Sequence, residues 1–308
     1  MTRQAFKGHL FALVTVAIWS STFIISKVIL EELSPLQVLL ARFLVALAAL
    51  SALYPHFAKP VSWREEGLFL AIGTALAAYF LFENRALQLT YAANVSLIDA
   101  TIPLLTGLLA FVLFKKRLFG VRSAAGLVLA YLGVFLIIRH SQQSSGLALG
   151  GDLLALGAAV MFAVYSLLME KTRHGLHLVQ LTRKVFVYAF AVLAVFALVS
   201  RQPLMVRSVS AGTVAGIVFL GIAASSLAFI LWNQAIRAIG PARTNQYIYF
   251  SPLLTTLLSA ILLLALVVFA IGGVTRGARS WFTIGPFNLQ PSEFGKRVQM
   301  IVLVGIAV

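Results

Sequence analysis

The sequence predicts an all-α polytopic membrane protein: an inverted repeat of two five-helix units, with about nine full transmembrane helices and a truncated C-terminal one. Three observations predict it. Apolar spans of about 20 residues recur between short polar breaks, Lys and Arg gather in alternate connections, and one long segment returns 149 positions later.

Composition excludes a soluble domain, because 61% of residues are hydrophobic and only 11% charged, against about a quarter charged in an average soluble chain. The formal net charge of +15 does not point to nucleic acid, since the cations sit singly or in short clusters between apolar spans. With no cysteine, disulfides and thiolate metal sites are excluded. Arg3 and Lys7 precede an apolar run that continues to Leu30 without a small-residue cleavage site, so the first span reads as a retained helix rather than a signal peptide.

The spans fall at about 9–29, 35–54, 67–88, 92–114, 120–138, 151–169, 179–200, 211–235 and 246–271, with a short piece at about 298–308. Their continuous apolarity selects helices over barrel strands, which would alternate polar and apolar residues. A cytoplasmic N-terminus puts Lys59, Arg64, Lys115, Lys116, Arg117, Arg122, Lys171, Arg173, Arg183, Lys184, Arg237 and Arg243 on the inner side. The opposite connections hold Glu31, Glu32, Arg85, Arg139, Arg201 and Arg207, so the bias favours that orientation in a bacterial inner membrane.

Residues 79–106 lie without gaps over 228–255, matching Asn84 to Asn233, Ala86 to Ala235, Ala93 to Ala242 and Pro103 to Pro252. Earlier segments match at a separation of 143, which carries Gly8, Leu10, Ala12, Leu13 and Gln37 onto Gly151, Leu153, Ala155, Leu156 and Gln180. Five spans precede a polar linker, and five is odd, so the second copy enters the membrane from the opposite side. The division is 1–140 for the first repeat, 141–150 for the linker, 151–262 for the second repeat and 263–308 for a tail.

Residues 1 to about 262 resemble the EamA-type branch of the drug/metabolite transporter superfamily, through AIWSSTFIISK at 17–27, ARF at 41–43, the stretch 84–118 and its echo at 233–260. The resemblance implies ten helices in two inverted repeats around a central cavity, with many members exporting amino acids or other metabolites. The tail departs from that pattern. Residues 276–296 resemble the RodA/FtsW peptidoglycan glycosyltransferases through Gly277, Ala278, Trp281, Gln290, Pro291, Ser292, Glu293, Phe294 and Lys296. A gene fusion and a joining of two genes in sequence assembly both account for it, with the join near Ile261 to Leu266.

Polar residues inside the spans are the candidate site, because an ionisable group costs about 2.5–3.5 kcal/mol at a helix centre. Asp99, one turn before Pro103, reads either as a proton-coupling or amine-binding carboxylate or as a structural partner of Arg42 or Lys27. Asn84 and Asn233, at equivalent repeat positions, suit a ligand contact or an interhelical bond. Trp19, Ser20 and Thr22 on the first span and Phe162 and Tyr165 on the sixth suit an aromatic pocket wall or plain packing. Tyr79 and Asn94, and Trp232, Asn245, Tyr247 and Tyr249 around the second turn, complete the set, with Pro103 and Pro252 as helix breaks. Glu83 and Arg85 are expected at a solvated helix end.

No GxxxxGK[ST] loop is present, and His9, His56, His140, His174 and His177 fall near span ends or in loops, so neither ATP, metal nor any cofactor is expected. The expectation is a non-enzymatic secondary transporter exporting a small metabolite, an amino acid or related amphiphile, by alternating access. Its partners are that substrate and the lipid bilayer, with no nucleic acid and with room for a homodimer. The rival from another class is a membrane glycosyltransferase-related fusion or a non-functional chimera; the tail lacks that family's remaining helices and catalytic loop.

Overall fold

The computed structural model describes residues 3–60, 62–115, 132, 146–172, 175–202, 208–271, 273–275, 278–284 and 287–289. Helix α1 (Arg3–Glu32) is followed by α2 (Pro35–Leu53), α3 (Trp63–Leu89), the short α4 (Ala92–Asp99) and α5 (Ile102–Phe114). After residues 116–145 come α6 (Gly146–Glu170), α7 (Leu178–Ser200) and the long α8 (Ala211–Ile239). A short α9 (Pro241–Asn245) and a 3-10 turn (Gln246–Phe250) lead into α10 (Ser251–Ile271).

Among the described residues, seven helical segments are long and apolar enough to cross a membrane, α4 and α5 together forming one of them over Ala92–Val112. The predicted span at 120–138 apart from Leu132, and that at 298–308, like Gly277 and the run from Gln290 to Lys296, lie outside the described residues. Helix α6 begins at Gly146, inside the stretch read as a linker.

Local signals explain where the helices start. Ser34 caps α2 in a reciprocal capping box with Gln37, and Pro35 occupies the first helical position, where its missing N–H costs nothing. His177 caps α7 through Val179 N, and it stands 143 positions after Ser34. Helix α3 ends at Thr90 and α8 at Gly240, whose φ of +81° suits glycine. In the first turn of α5 stands Pro103, and in that of α10 Pro252, so each follows a break in its helix.

The inside of the bundle is rich in small and polar residues, while Leu44, Leu53, Leu198, Val199 and Leu253 project outward. That is the arrangement lipid demands, since burying apolar surface from lipid gains little and close packing with interhelical hydrogen bonds must hold the helices. Helix α3 packs extensively on α6 and α7, and α1 on the last third of α8. At Leu220–Leu227 α8 takes one wide π-helical turn, next to α2.

The tail departs from the all-α expectation. Strands β1 (Gly273–Thr275), β2 (Ala278–Ile284) and β3 (Phe287–Leu289) pair antiparallel in that order. Arg276-Gly277 and Gly285-Pro286 separate them in the sequence, a spacing that suits two-residue hairpin connections. Helical periodicity had no hold on this stretch, whose apolar residues are interrupted by glycine and proline.

Candidate functional site

A small cavity lies at the centre of the bundle, with a volume of ≈ 20 Å³, room for about one water molecule. Trp19 and Thr22 line it from α1, Arg42 from α2, Tyr79, Phe80 and Glu83 from α3, Phe162 from α6 and Phe229 from α8. Asp99 and Ile102 come from either side of the α4–α5 break, and Ile248 and Ser251 from the break before α10. A break in each of two helices therefore meets one void.

The two sequence separations organise this lining. Trp19 and Phe162 are 143 apart, and Phe80 with Phe229, Asp99 with Ile248 and Ile102 with Ser251 are each 149 apart. The aromatic shell is thus paired: Trp19 meets Phe162 edge to face at 5.6 Å between ring centroids and Phe229 at 5.0 Å. The charges are not paired. Arg42, Tyr79, Glu83 and Asp99 correspond to Val185, Ala228, Trp232 and Ile248, so among the described residues the cavity's ionisable side chains all come from the first half of the chain.

These polar groups differ in how they are satisfied. Arg42, 2% exposed, donates from Nε to Ser225 Oγ at 2.5 Å, and its guanidinium lies 4.2 Å from the centroid of the Phe80 ring. The Tyr79 hydroxyl donates to Glu83 Oε1 at 2.6 Å. Asp99 is also 2% exposed, yet its Oδ1 has no hydrogen-bond partner among the described residues, and an unmet buried acceptor is costly. The π-helical turn supplies Ser225 and leaves the Ala224 carbonyl to accept from Trp19 Nε1 at 3.0 Å.

Of the predicted residues, Trp19, Thr22, Tyr79, Asp99 and Phe162 meet at the cavity. The others stand elsewhere. Ser20 donates within its own helix to Val16 O, and Asn94 joins a polar cluster at one end of the bundle. Asn233 accepts from Tyr165 OH at 2.8 Å and donates to Thr182 Oγ1 at 3.0 Å. Asn245 ties Thr106 of α5 to Ser166 of α6. Trp232 packs against Trp19 at 4.8 Å between centroids, Tyr249 is half exposed, and Asn84 is fully buried with neither amide atom partnered among the described residues. Arg85 lies on the surface beside Gln88, as expected of a helix end, but Glu83 is buried rather than solvated, because its side of α3 faces the cavity. The sequence offers Arg42 only as a candidate partner of Asp99 and gives no sign of Ser225; the signal for Arg42 is a cation in the middle of an apolar span.

Comparison with known proteins decides the family. The EamA-like transporter family matches residues 6–139 and again 149–274. The chain belongs to the EamA-like transporter family. It is 30% identical to an uncharacterized transporter of Archaeoglobus fulgidus over 82% of this chain and 87% of that one. A "Probable amino-acid metabolite efflux pump" of Escherichia coli is 30% identical over 54% of each chain. A solved protein structure superposes with a TM-score of 0.62 at 20% identity, covering 97% of this chain and 94% of its own, which speaks for the fold. The chain is accordingly a multi-pass membrane transporter. Residues 248–307 also match the cell cycle protein family of FtsW, RodA and SpoVE. There the chain is 46% identical over 52 residues to a "Probable peptidoglycan glycosyltransferase FtsW" of Aeromonas salmonicida, of which it spans 13%.

Two further contacts in this EamA-family chain obey the same separations. A Cβ at Gly8 would fall 2.9 Å from Ala238 Cβ and 3.0 Å from Ile239, and one at Gly151 would fall 2.8 Å from Thr90 Cβ and 3.0 Å from the Leu89 carbonyl carbon. Gly8 and Gly151 are 143 apart, and Leu89 and Thr90 stand 149 before Ala238 and Ile239. The start of α1 therefore presses on the end of α8, as the start of α6 presses on the end of α3. Beside the first contact, His9 Nδ1 meets Tyr247 OH at 2.8 Å, bordering a cleft of ≈ 560 Å³ with Arg243, Gln246 and Phe250. Beside the second, Asp152 Oδ1 accepts from Thr90 Oγ1 at 2.7 Å, and Lys27 donates to Thr90 O at 3.0 Å. His9 and Lys27 are 18 residues apart on α1, about 27 Å along a helix, so these are opposite ends.

Proposed function

We propose that the protein is a gradient-driven exporter of a small amphiphilic metabolite, an amino acid or related compound, working by alternating access between two inverted repeats. One observation carries the reading: a central cavity built from paired residues lies between two tight helix contacts, one toward each end, related through the 143 and 149 separations. A duplicated transporter that exposes one site to two sides needs two such closures, and broken helices at the midplane are where such sites form. The E. coli relative's name favours export, and the Lys and Arg bias favours the His9 end as the cytoplasmic mouth of an inner-membrane protein. Asp99 is the group best placed to couple flux to protons.

The absence of native cysteine makes the test clean. Thr90→Cys with Asp152→Cys, and His9→Cys with Tyr247→Cys, are cross-linked separately in proteoliposomes. Each cross-link stops flux and leaves the cavity reachable from the opposite side only. Continued flux through both cross-linked forms removes the mechanism.

A second reading concerns the tail. The two family matches overlap over 248–274, and we infer that residues 263–308 derive from a different gene, by fusion or by joining in assembly. One long DNA read across codons 240–308 tests it. A frame continuing into an ordinary EamA helix makes the tail a joining error; an unbroken frame makes it a fusion.

A further inference from the structure

The charge balance at the cavity selects among amphiphiles, and the selection rests on the transporter reading above. Its lining carries one guanidinium, Arg42, and two carboxyls, Glu83 and Asp99. Arg42 offsets one of them. A zwitterion adds equal and opposite charges and leaves the remaining carboxyl uncompensated, whereas a monocation closes the balance. Hydrogen bonding singles out the same group, because Glu83 Oε1 already accepts from Tyr79 while Asp99 Oδ1 has no partner among the described residues. The space fits as well: ≈ 20 Å³ beside Asp99 holds one water-sized group, which is the size of an ammonium head.

The rest of the lining suits the body of such a ligand. Trp19, Phe80, Phe162 and Phe229 surround the void, and aromatic faces attract cations as well as apolar carbon. Among the described residues the cavity lining carries no cation from the other half to hold a carboxylate, and Val185 stands at the position equivalent to Arg42.

The geometry points to an amine without a carboxylate, carrying an aromatic or apolar body, as the substrate class, its ammonium held on Asp99 Oδ1 and its body between Trp19, Phe162 and Phe229. When the amine leaves, one proton takes its place on Asp99, so each turnover exchanges one monocation for one proton and charge balances. The closed cavity admits the head alone, and the aromatic walls separate to admit the body.

The test compares 2-phenylethylamine with phenylalanine and 3-phenylpropionate, which share a ring and differ in charge. Binding to the full-length protein in detergent is followed by quenching of tryptophan fluorescence, to which Trp19 and Trp232 contribute. The expected result is saturable quenching by the amine, at least 10-fold tighter than by either acid, lost in Asp99→Asn and retained in Asp99→Glu. Phenylalanine binding as tightly as the amine, amine affinity unchanged in Asp99→Asn, or no saturable quenching by any of the three overturns the assignment. Thermal melting of Asp99→Asn confirms that the variant is folded; if it is not, loss of amine binding in Asp99→Glu overturns the proposal instead. Flux in proteoliposomes separates the two readings: amine binding without flux overturns transport, and phenylalanine flux without amine flux overturns amine selectivity alone.

Discussion

Gly151 lies against the backbone of Thr90 so closely that a methyl group there would come within 2.9 Å of the Thr90 nitrogen. Backbone cannot swing aside as a side chain can, so the contact is rigid where α6 meets the end of α3. At the other end Gly8 meets the side chains of Ala238 and Ile239 instead.

Gly151→Ala is therefore expected to destabilise the protein by about 1–3 kcal/mol, the usual range for overpacking. Gly67→Ala on α3, where nothing lies within 4 Å of the new methyl, gains about 0.5–1 kcal/mol from helix propensity. Thermal melting in detergent compares them, and equal melting points would show that the close approach carries no strain.

Asn84 and Asn233 are equally buried but oppositely satisfied. Asn233→Ala strands the Tyr165 and Thr182 hydroxyls and costs about 1–3 kcal/mol. Asn84→Leu removes an amide with no partner among the described residues and leaves stability unchanged or raised. If Asn84→Leu melts lower than Asn233→Ala, an unseen partner holds Asn84.

Arg42 stands alone against two carboxyls at the cavity. Arg42→Met leaves them uncompensated and costs about 3–5 kcal/mol, the range for removing one partner of a buried pair. Adding Glu83→Gln restores the balance of charge, so the double variant is expected to recover most of the lost melting temperature. Failure to recover means that Arg42 holds the fold through Ser225 and Phe80 rather than through charge.

What the sequence made legible was repetition. The separations of 143 and 149 relate the helix caps Ser34 and His177, the cavity rings and the two end contacts, because duplicated helices conserve where they start and what they press against. Pro103 and Pro252 announced the breaks through their missing N–H groups. Glu83, expected at a solvated helix end, lies buried at the cavity; hydropathy locates the depth of a residue but not which way its helix face turns. The π-helical turn at Leu220–Leu227 left no pattern at all, since a wide turn arises from packing against α2. The antiparallel strands after α10 fell in a stretch whose family resemblance suggested only helices.

Each end of the bundle is held by its own hydrogen bonds, so weakening one end predicts the side from which the cavity opens. At the Asp152 end, Thr90 bonds to Asp152 at 2.7 Å, and Asn94 reaches Thr90 Oγ1 at 3.2 Å. At the other end His9 meets Tyr247 beside the open cleft, while Lys184 donates to Glu66 Oε1 at 2.6 Å and Arg237 donates to Leu176 O at 3.1 Å. Interhelical hydrogen bonds in lipid average about 0.6 kcal/mol and reach about 1.7, so losing the Thr90–Asp152 bond shifts the population about 3-fold to about 20-fold toward opening at that end. The readout is a single Thr22→Cys at the cavity, labelled by a membrane-impermeant maleimide from each side of sealed vesicles. Asp152→Ala should speed labelling from the Asp152 side and slow it from the His9 side, and His9→Ala should do the reverse. Labelling that rises from both sides together would mean the two closures loosen independently, without the alternation that a rocking pair of repeats requires.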